Sequence, residues 1–291
     1  MVEVNGKTTI CGIIGDPIEH SLSPTMHNAA FRALNLDYIY VPFRVASGEL
    51  EEAIQGIRSL NIRGLNVTLP HKVNVLPYLD ELDFMAENLG AVNTKVNHDG
   101  CLKGYNTDAA GFYQALIADG INPLGKRVTI LGAGGAARAV AFILADKGIE
   151  LTILNRDEQR AQKLADSLMR FFRREVAIGG LQKKSLSKVL EKSDIVVNTT
   201  SVGMYPENSV SPIPSGIFDS RHTVFDIIYN PLQTRLLTEA ETSGARIIGG
   251  LEMLVWQGAA AFELWTGHKA PVEVMRQAAL DSLKAGQRDE K

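Results

Sequence analysis

Between residue 8 and about residue 105, short apolar runs alternate with stretches whose apolar positions recur at helical spacing. TTICGIIG, YIYVPFRV and RGLNVT read as strands, and SPTMHNAAFRALN and GELEEAIQGIRSL as helices. This alternation predicts an open α/β layer with parallel pairing. AVNTKVNHDGCLKGY differs: two short runs flank Asp99-Gly100, which predicts a β-hairpin. TDAAGFYQALIADG is then a helix stopped by Gly120, and INPLGKR is a linker rich in turn formers. Beyond it, KRVTILGAGGAARAVAFILADKG and IELTILNRDEQRAQKLADSL read as strand, glycine turn, helix, strand, helix. DIVVNTT, HTVFDIIYN and ARIIGG are further strands. From about residue 251 the pattern is helical, in LEMLVWQGAAAFELWTG and PVEVMRQAALDSLKA. A short helical tail has little core of its own, so it is expected to pack on the first half.

At 291 residues the chain exceeds what one core usually holds, so two domains are expected. Hydrophobic residues at 45% and charged ones at 22% are ordinary for a soluble globular protein. A formal net charge of −3 gives no push toward nucleic acid or an anionic membrane. Cys11 and Cys101 lack metal spacing, and a chain this large needs no disulfide staple, which fits a reducing cytoplasm. MVEVNGKTTI has no basic segment leading into an apolar one, and no apolar run is long enough for a membrane helix. His27 and His71 have no second ligand at metal spacing, so no metal is expected. RFFRREV, residues 170–176, reads as a helix end packing its aromatics.

GAGGAA, residues 132–137, lies between a strand at Val128 to Leu131 and an apolar helix. Gly132 allows a tight turn, Gly134 lets the backbone approach a pyrophosphate, and Ala137 lets helix and strand pack closely. The helix N-terminus supplies unpaired N–H groups and a positive dipole end for the phosphates. The next strand ends in Asn155-Arg156, with Arg160 four residues on, where an NAD site usually carries an acidic residue. Arginines there suit a 2′-phosphate, hence NADP, and Asp157 cuts against this unless it turns away as a helix N-cap.

The first half holds a second group of candidates. In NVTLPHK, residues 66–72, Asn66 and Thr68 point to one face, Pro70 stops the strand, and Lys72 follows. In HSLSP, Ser23 can cap a helix with Pro24 at N1, or Ser21 and Ser23 together can hold a carboxylate. In YNTDAAG, Thr107 or Asp108 can cap the following helix, or Asp108 can reach Lys72 as an acid–base pair. Asn93 can bond hydroxyls or serve a turn. Gln257 is the lone polar residue between Met253 and Phe262, which points to a cleft. Tyr229 fits core or cleft equally.

GDPIEHSLSPTMHNAAF, NVTLPHK, GAVNT, GYNTD, GAGGAAR, NR…R, NTTSVGM, FDIIYNP and GLEMLVWQG, in this order, resemble the motifs of the shikimate dehydrogenase family along nearly the whole chain. The resemblance implies reversible NADP-linked oxidation of shikimate to 3-dehydroshikimate, on the route to aromatic amino acids. It implies an N-terminal α/β substrate domain, residues 1–108 completed by helices from about 251 to 291. A Rossmann domain spans 109–250, with the cleft between them. By resemblance, Ser21 and Ser23 hold the substrate carboxylate. Thr68, Asn93, Tyr229 and Gln257 contact the substrate, and Lys72 and Asp108 are the catalytic pair. Gly132, Ala133, Gly134, Gly135, Ala136, Asn155, Arg156 and Arg160 hold the cofactor. Ile227 and Gly250 lie near the nicotinamide, with Met204 in the same region. The expected partner is the small-molecule substrate, without nucleic acid or membrane, for a cytoplasmic monomer or homodimer.

Asp157 departs from the family pattern, which has Thr or Ser there. Close relatives with an acidic residue near this point use NAD and accept quinate, so an NAD-linked quinate/shikimate dehydrogenase is the alternative. The serine pair favours shikimate. A dinucleotide sensor without turnover could lose the lysine–carboxylate pair, and this chain keeps both residues.

Overall fold

The computed structural model describes residues 4–289. They build two six-stranded sheets, in two compact units. One unit comprises the residues up to Gly111 and those from Val255 onward; the other runs from Phe112 to Leu254.

In the first unit, β1 (Thr9–Gly15) lies between β2 (Tyr38–Arg44) and β3 (Gly64–Val67), with parallel pairing to both. Helices α1 (Ser23–Ala33) and α2 (Leu50–Ser59) supply the crossovers. The parallel pattern stops there. The chain passes through α3 (His71–Asn74), the short strand β4 (Glu81–Leu82) and α4 (Phe84–Leu89) before β5 (Thr94–His98) pairs antiparallel with β3. The hairpin partner β6 (Cys101–Tyr105) follows, and β4 pairs parallel with it at the edge. The sheet is therefore mixed, with order β2-β1-β3-β5-β6-β4. Segments as short as α3, β4 and α4 are below the length at which periodicity separates helix from strand. The hairpin turn is as expected: Asp99 (φ 51°) and Gly100 (φ 92°) both take the positive φ that a tight hairpin turn requires.

One face of this sheet packs Ile14, Leu65, Val67 and Leu102 against Leu50, Ile54 and Ile57 of α2. The other carries Tyr40, buried with His27 and Phe31 of α1. His27 stacks on Tyr40 at 4.5 Å and touches Trp265 and Phe262. Neither ring nitrogen is bonded among the described residues, and burial pushes the imidazole down to about 3, so it sits there as a neutral aromatic ring. Gly64 is required on this face, because a Cβ there would collide with the Trp265 indole. The tail forms α10 (Gly250–Thr266) and α11 (Val272–Asp289), and α11 packs along α1.

Helix α5 (Thr107–Ala118) leads into the second unit. There β7 (Arg127–Leu131), α6 (Gly135–Asp146), β8 (Glu150–Leu154), α7 (Glu158–Phe172), β9 (Ala177–Gly179), α8 (Lys183–Leu190), β10 (Ile195–Asn198), β11 (Thr223–Asp226), α9 (Arg235–Thr242) and β12 (Arg246–Ile248) follow in chain order. The sheet order β12-β11-β10-β7-β8-β9 is parallel throughout. Its strands are buried on both sides, as helix-covered parallel sheets require. The aromatics of RFFRREV close the end of α7: Phe171 and Phe172 pack on Phe142 at 5.6 and 5.4 Å. Among the described residues no helix is long and apolar enough to cross a membrane. No group of three His, Cys, Asp or Glu among them could hold a metal ion.

Candidate active site

Strand β3 ends at Val67, and Thr68 is still held to the sheet by its N–H to the Ile14 carbonyl at 3.0 Å. Pro70 then breaks the ladder and α3 begins. His71 anchors it: the buried ring lies 2.7 Å from the Val45 carbonyl oxygen. The Lys72 carbonyl accepts from the Val92 N–H at 2.8 Å. With its backbone fixed on both sides, Lys72 aims Nζ at Asp108 Oδ2, 2.6 Å away. The other carboxylate oxygen accepts from Asn93 Nδ2 at 2.7 Å. Asn93 is fixed in turn, because its Oδ1 accepts from the Thr107 N–H at 2.7 Å and the Thr107 hydroxyl at 3.1 Å. The pair is partly accessible, with side chains exposed by 32% for Lys72 and 18% for Asp108, so a ligand can reach both.

Two capping readings are corrected here. Ser23 does not cap α1: Leu22, at the N-cap, already has helical backbone angles, and no side chain caps the helix. Ser23 is buried instead, and the Tyr40 phenol O–H donates to Asn66 Oδ1 at 2.7 Å. Ser21 Oγ accepts from the Ser23 N–H at 3.3 Å. At α5 neither Thr107 nor Asp108 caps, since Asn106 Oδ1 accepts from the Asp108 N–H at 3.2 Å. An asparagine just ahead of a helix is a readable signal for this role. Asp108 is thereby left free to pair with Lys72.

Asn66 links the two groups. Its Nδ2 donates to the Asn93 carbonyl at 3.2 Å and to Thr94 Oγ1 at 3.0 Å, and Thr94 Oγ1 lies 3.1 Å from Thr107 Oγ1. The alternation in NVT marks the face of Asn66, but only the fold brings Tyr40 and Thr94 to it. Lys72, Asp108 and Asn93 are bonded directly, and Tyr40 joins them through Asn66. Thr68 lies outside this bonded group, half-buried beside Gly15. Gln257 is 9% exposed on α10, where Gly111 of α5 makes room: a Cβ on that glycine would lie 2.6 Å from the Gln257 nitrogen.

The second unit carries the other candidates. Gly132 has φ +109°, open to glycine almost alone, and a Cβ there would lie 2.7 Å from Thr199 Oγ1. Gly134 and Gly135 open the 12-residue helix α6, and a Cβ on either would meet no protein atom within 4 Å. Ala137 is fully buried between helix and strand. An open cradle at a helix N-terminus fits a pyrophosphate. Gly132→Ala is expected to cost about 1–3 kcal/mol through backbone strain and to weaken dinucleotide binding, checked by thermal melting and by titration with NADPH.

Past the end of β8, Asn155 Nδ2 donates to the Asp157 carbonyl at 2.8 Å, and Arg156 is exposed. Asp157 is the N-cap of α7, accepting from the Gln159 N–H at 3.0 Å. Arg160 lies 3.4 Å from its carboxylate, a weak pairing because both side chains are more than half exposed. Gly250 abuts the Ile227 carbonyl, with which a Cβ would collide. Tyr229 is half-buried, and burial pushes its phenol above the usual range. Met204 is exposed.

Three family models cover most of the chain. The shikimate dehydrogenase substrate binding domain matches residues 13–94, shikimate / quinate 5-dehydrogenase matches 117–208, and the shikimate 5′-dehydrogenase C-terminal domain matches 250–280. Shikimate dehydrogenase (NADP(+)) of Moorella thermoacetica is 46% identical over 286 residues, covering 98% of this chain and 97% of its own. The chain belongs to the shikimate dehydrogenase family. Two solved family structures share its fold over nearly their full length. Shikimate 5-dehydrogenase from Listeria monocytogenes, in complex with shikimate and NAD, is 41% identical with TM-score 0.90 over 94% of this chain and 97% of that one. The enzyme from Thermus thermophilus, in complex with NADP(H) and shikimate, is 39% identical with TM-score 0.86 over 94% and 99%.

Proposed function

We propose that Lys72 and Asp108 are the acid–base pair with which this chain interconverts shikimate and 3-dehydroshikimate using NADP. The observation that carries the assignment is the 2.6 Å Lys72–Asp108 contact, with Asn93 on the second carboxylate oxygen. Bound NADP supplies the hydride acceptor for the carbon being oxidised. Lys72, as the neutral amine, takes the hydroxyl proton in that direction and, as the ammonium, returns it to the carbonyl oxygen in the other. Asp108 holds Lys72 in place, and Asn93 fixes Asp108 in turn. Ser21 and Ser23 hold the substrate carboxylate, and Thr68, Asn93, Tyr229 and Gln257 contact the substrate. Gly132 to Ala136, Asn155, Arg156 and Arg160 hold the cofactor, with Ile227 and Gly250 on the nicotinamide side. The first unit serves as the substrate domain and the second as the cofactor domain. The proposal extends to a cytoplasmic monomer or homodimer.

The deciding experiment is the initial rate of nicotinamide reduction with shikimate and with quinate, each with NADP and with NAD. Strong preference for shikimate with NADP is expected. Comparable rates with NAD or quinate would move the chain to the dual-substrate branch. The cap supports NADP, because the Asp157 carboxylate accepts from the N-terminus of its own helix. Arg156→Ala is expected to raise KM for NADP by about 10- to 100-fold, the worth of one charge-assisted bond. KM for NAD should barely move. An equal rise for both cofactors would remove Arg156 from the 2′-phosphate.

A further inference from the structure

Asp226, the last residue of β11, is fully buried, and nothing above gives it a role. Its Oδ1 accepts from Asn198 Nδ2 at 3.0 Å and from the Ile228 N–H at 3.1 Å. Its Oδ2 accepts from the Thr234 hydroxyl at 2.7 Å. Each partner belongs to a different piece of backbone. Asn198 ends β10, and its Oδ1 accepts from the N–H and hydroxyl of Thr200, at 3.0 and 2.7 Å. Thr234 caps α9 through the Leu237 N–H. Ile228 follows Ile227, whose carbonyl is pressed against Gly250. One carboxylate therefore pins the turn after β10, the loop after β11 and the start of α9. The first two leave the carboxyl ends of parallel strands, where ligands of open α/β sheets bind.

A buried carboxylate is costly to keep unless its lone pairs are used. Burial pushes this one up to about 6 even with three donors on it. A neutral cap would hold α9 at lower cost. What only a carboxylate provides here is two oxygens that both accept, aimed at three segments at once.

We propose that Asp226 is a positioning residue: through Asn198, Ile228 and Thr234 it fixes the backbone that carries Ile227 and Tyr229 for hydride transfer. This rests on the functional reading above, in which those two residues serve the reacting centre.

The test is Asp226→Asn, which keeps the shape but replaces one acceptor oxygen with a donor. Per folded enzyme at saturating substrates, kcat is expected to fall by about 10- to 100-fold, the scale of a sub-ångström misplacement. The primary isotope effect with substrate deuterated at the oxidised carbon should rise toward its intrinsic value. In the enzyme without cofactor, amide hydrogen exchange should accelerate at 227–230 and at 199–202. A kcat within about threefold of wild type, with unchanged isotope effect, would make Asp226 a purely structural group and overturn the inference. Should Asp226→Asn fail to fold, Thr234→Val removes the same bond and Thr234→Ser restores it. The inference then requires kcat to fall in the first and recover in the second, and loss without recovery overturns it. Failure of the underlying function looks different: wild-type enzyme would not turn over shikimate with NADP.

Discussion

Lys72→Ala is expected to lower kcat by about 10²–10⁴, the usual worth of general acid–base catalysis, with a smaller change in KM. The substitution removes the ammonium 2.6 Å from Asp108 and leaves Asn93 still bonded to the other oxygen. The scaffold therefore survives while the proton has no carrier. Asp108→Asn should cost a similar factor, and the double variant little more than either single one, because the two residues act as a unit. Steady-state rates with shikimate and NADP decide this. A fall under about fivefold in Lys72→Ala would take the lysine out of the proton transfer.

Lys95→Met is expected to stabilise the protein. Lys95 lies in β5 opposite Leu65 of β3 and Gly104 of β6, with none of its surface exposed. Its Nζ makes no hydrogen bond among the described residues. Burial pushes the ammonium down to about 7, Arg58 pushes the same way, and Asp80 opposes them weakly. In the unfolded chain a lysine titrates near 10.4, so between those values the unfolded state binds more protons and stability rises with pH. Below pH 7 the folded state carries the full cost of a buried ammonium. At 1.4 kcal/mol per pH unit, the gap between 10.4 and about 7 is about 5 kcal/mol, as an order of magnitude. Methionine has similar length and no charge. Lys95→Met should therefore raise the melting temperature clearly at pH 6 and by much less near pH 10. An equal gain at both values would assign the effect to packing, and no gain at pH 6 would mean that the ammonium has a partner.

Much of the fold is readable along the chain, for identifiable reasons. The strands at residues 9–15, 38–44, 127–131 and 195–198 are apolar runs of strand length bounded by turn formers. The hairpin at Asp99-Gly100 follows from two residues that tolerate positive φ. The glycine turn stands where a strand meets an apolar helix. The stretch from 71 to 89 is not readable, because each of its elements is shorter than a period can mark. Helices α8 and α9 escape the pattern too, each only eight residues long.

The candidate site divides along the same line. Residue type and spacing nominate Lys72, Asp108, Asn93, Ser21, Ser23 and the glycine turn, because amides, hydroxyls and charges at strand and helix ends have few structural uses. Spacing cannot say which asparagine caps a helix and which holds a carboxylate. The fold assigns Asn106 to the first task and Asn93 to the second by placing a particular N–H or carboxylate oxygen in front of each. It likewise frees Ser23 from capping, orients Asp157 onto its own helix, and buries His27, Lys95 and Asp226, three residues that composition alone would place at the surface. The local pattern of apolar and turn-forming residues depends on neighbours a few positions away, so the order of residues along the chain is enough to set it. Several of the deciding partners come from residues 26 to 36 positions distant, as in Tyr40–Asn66, Lys72–Asp108 and His71–Val45, and only chain closure in three dimensions brings them together.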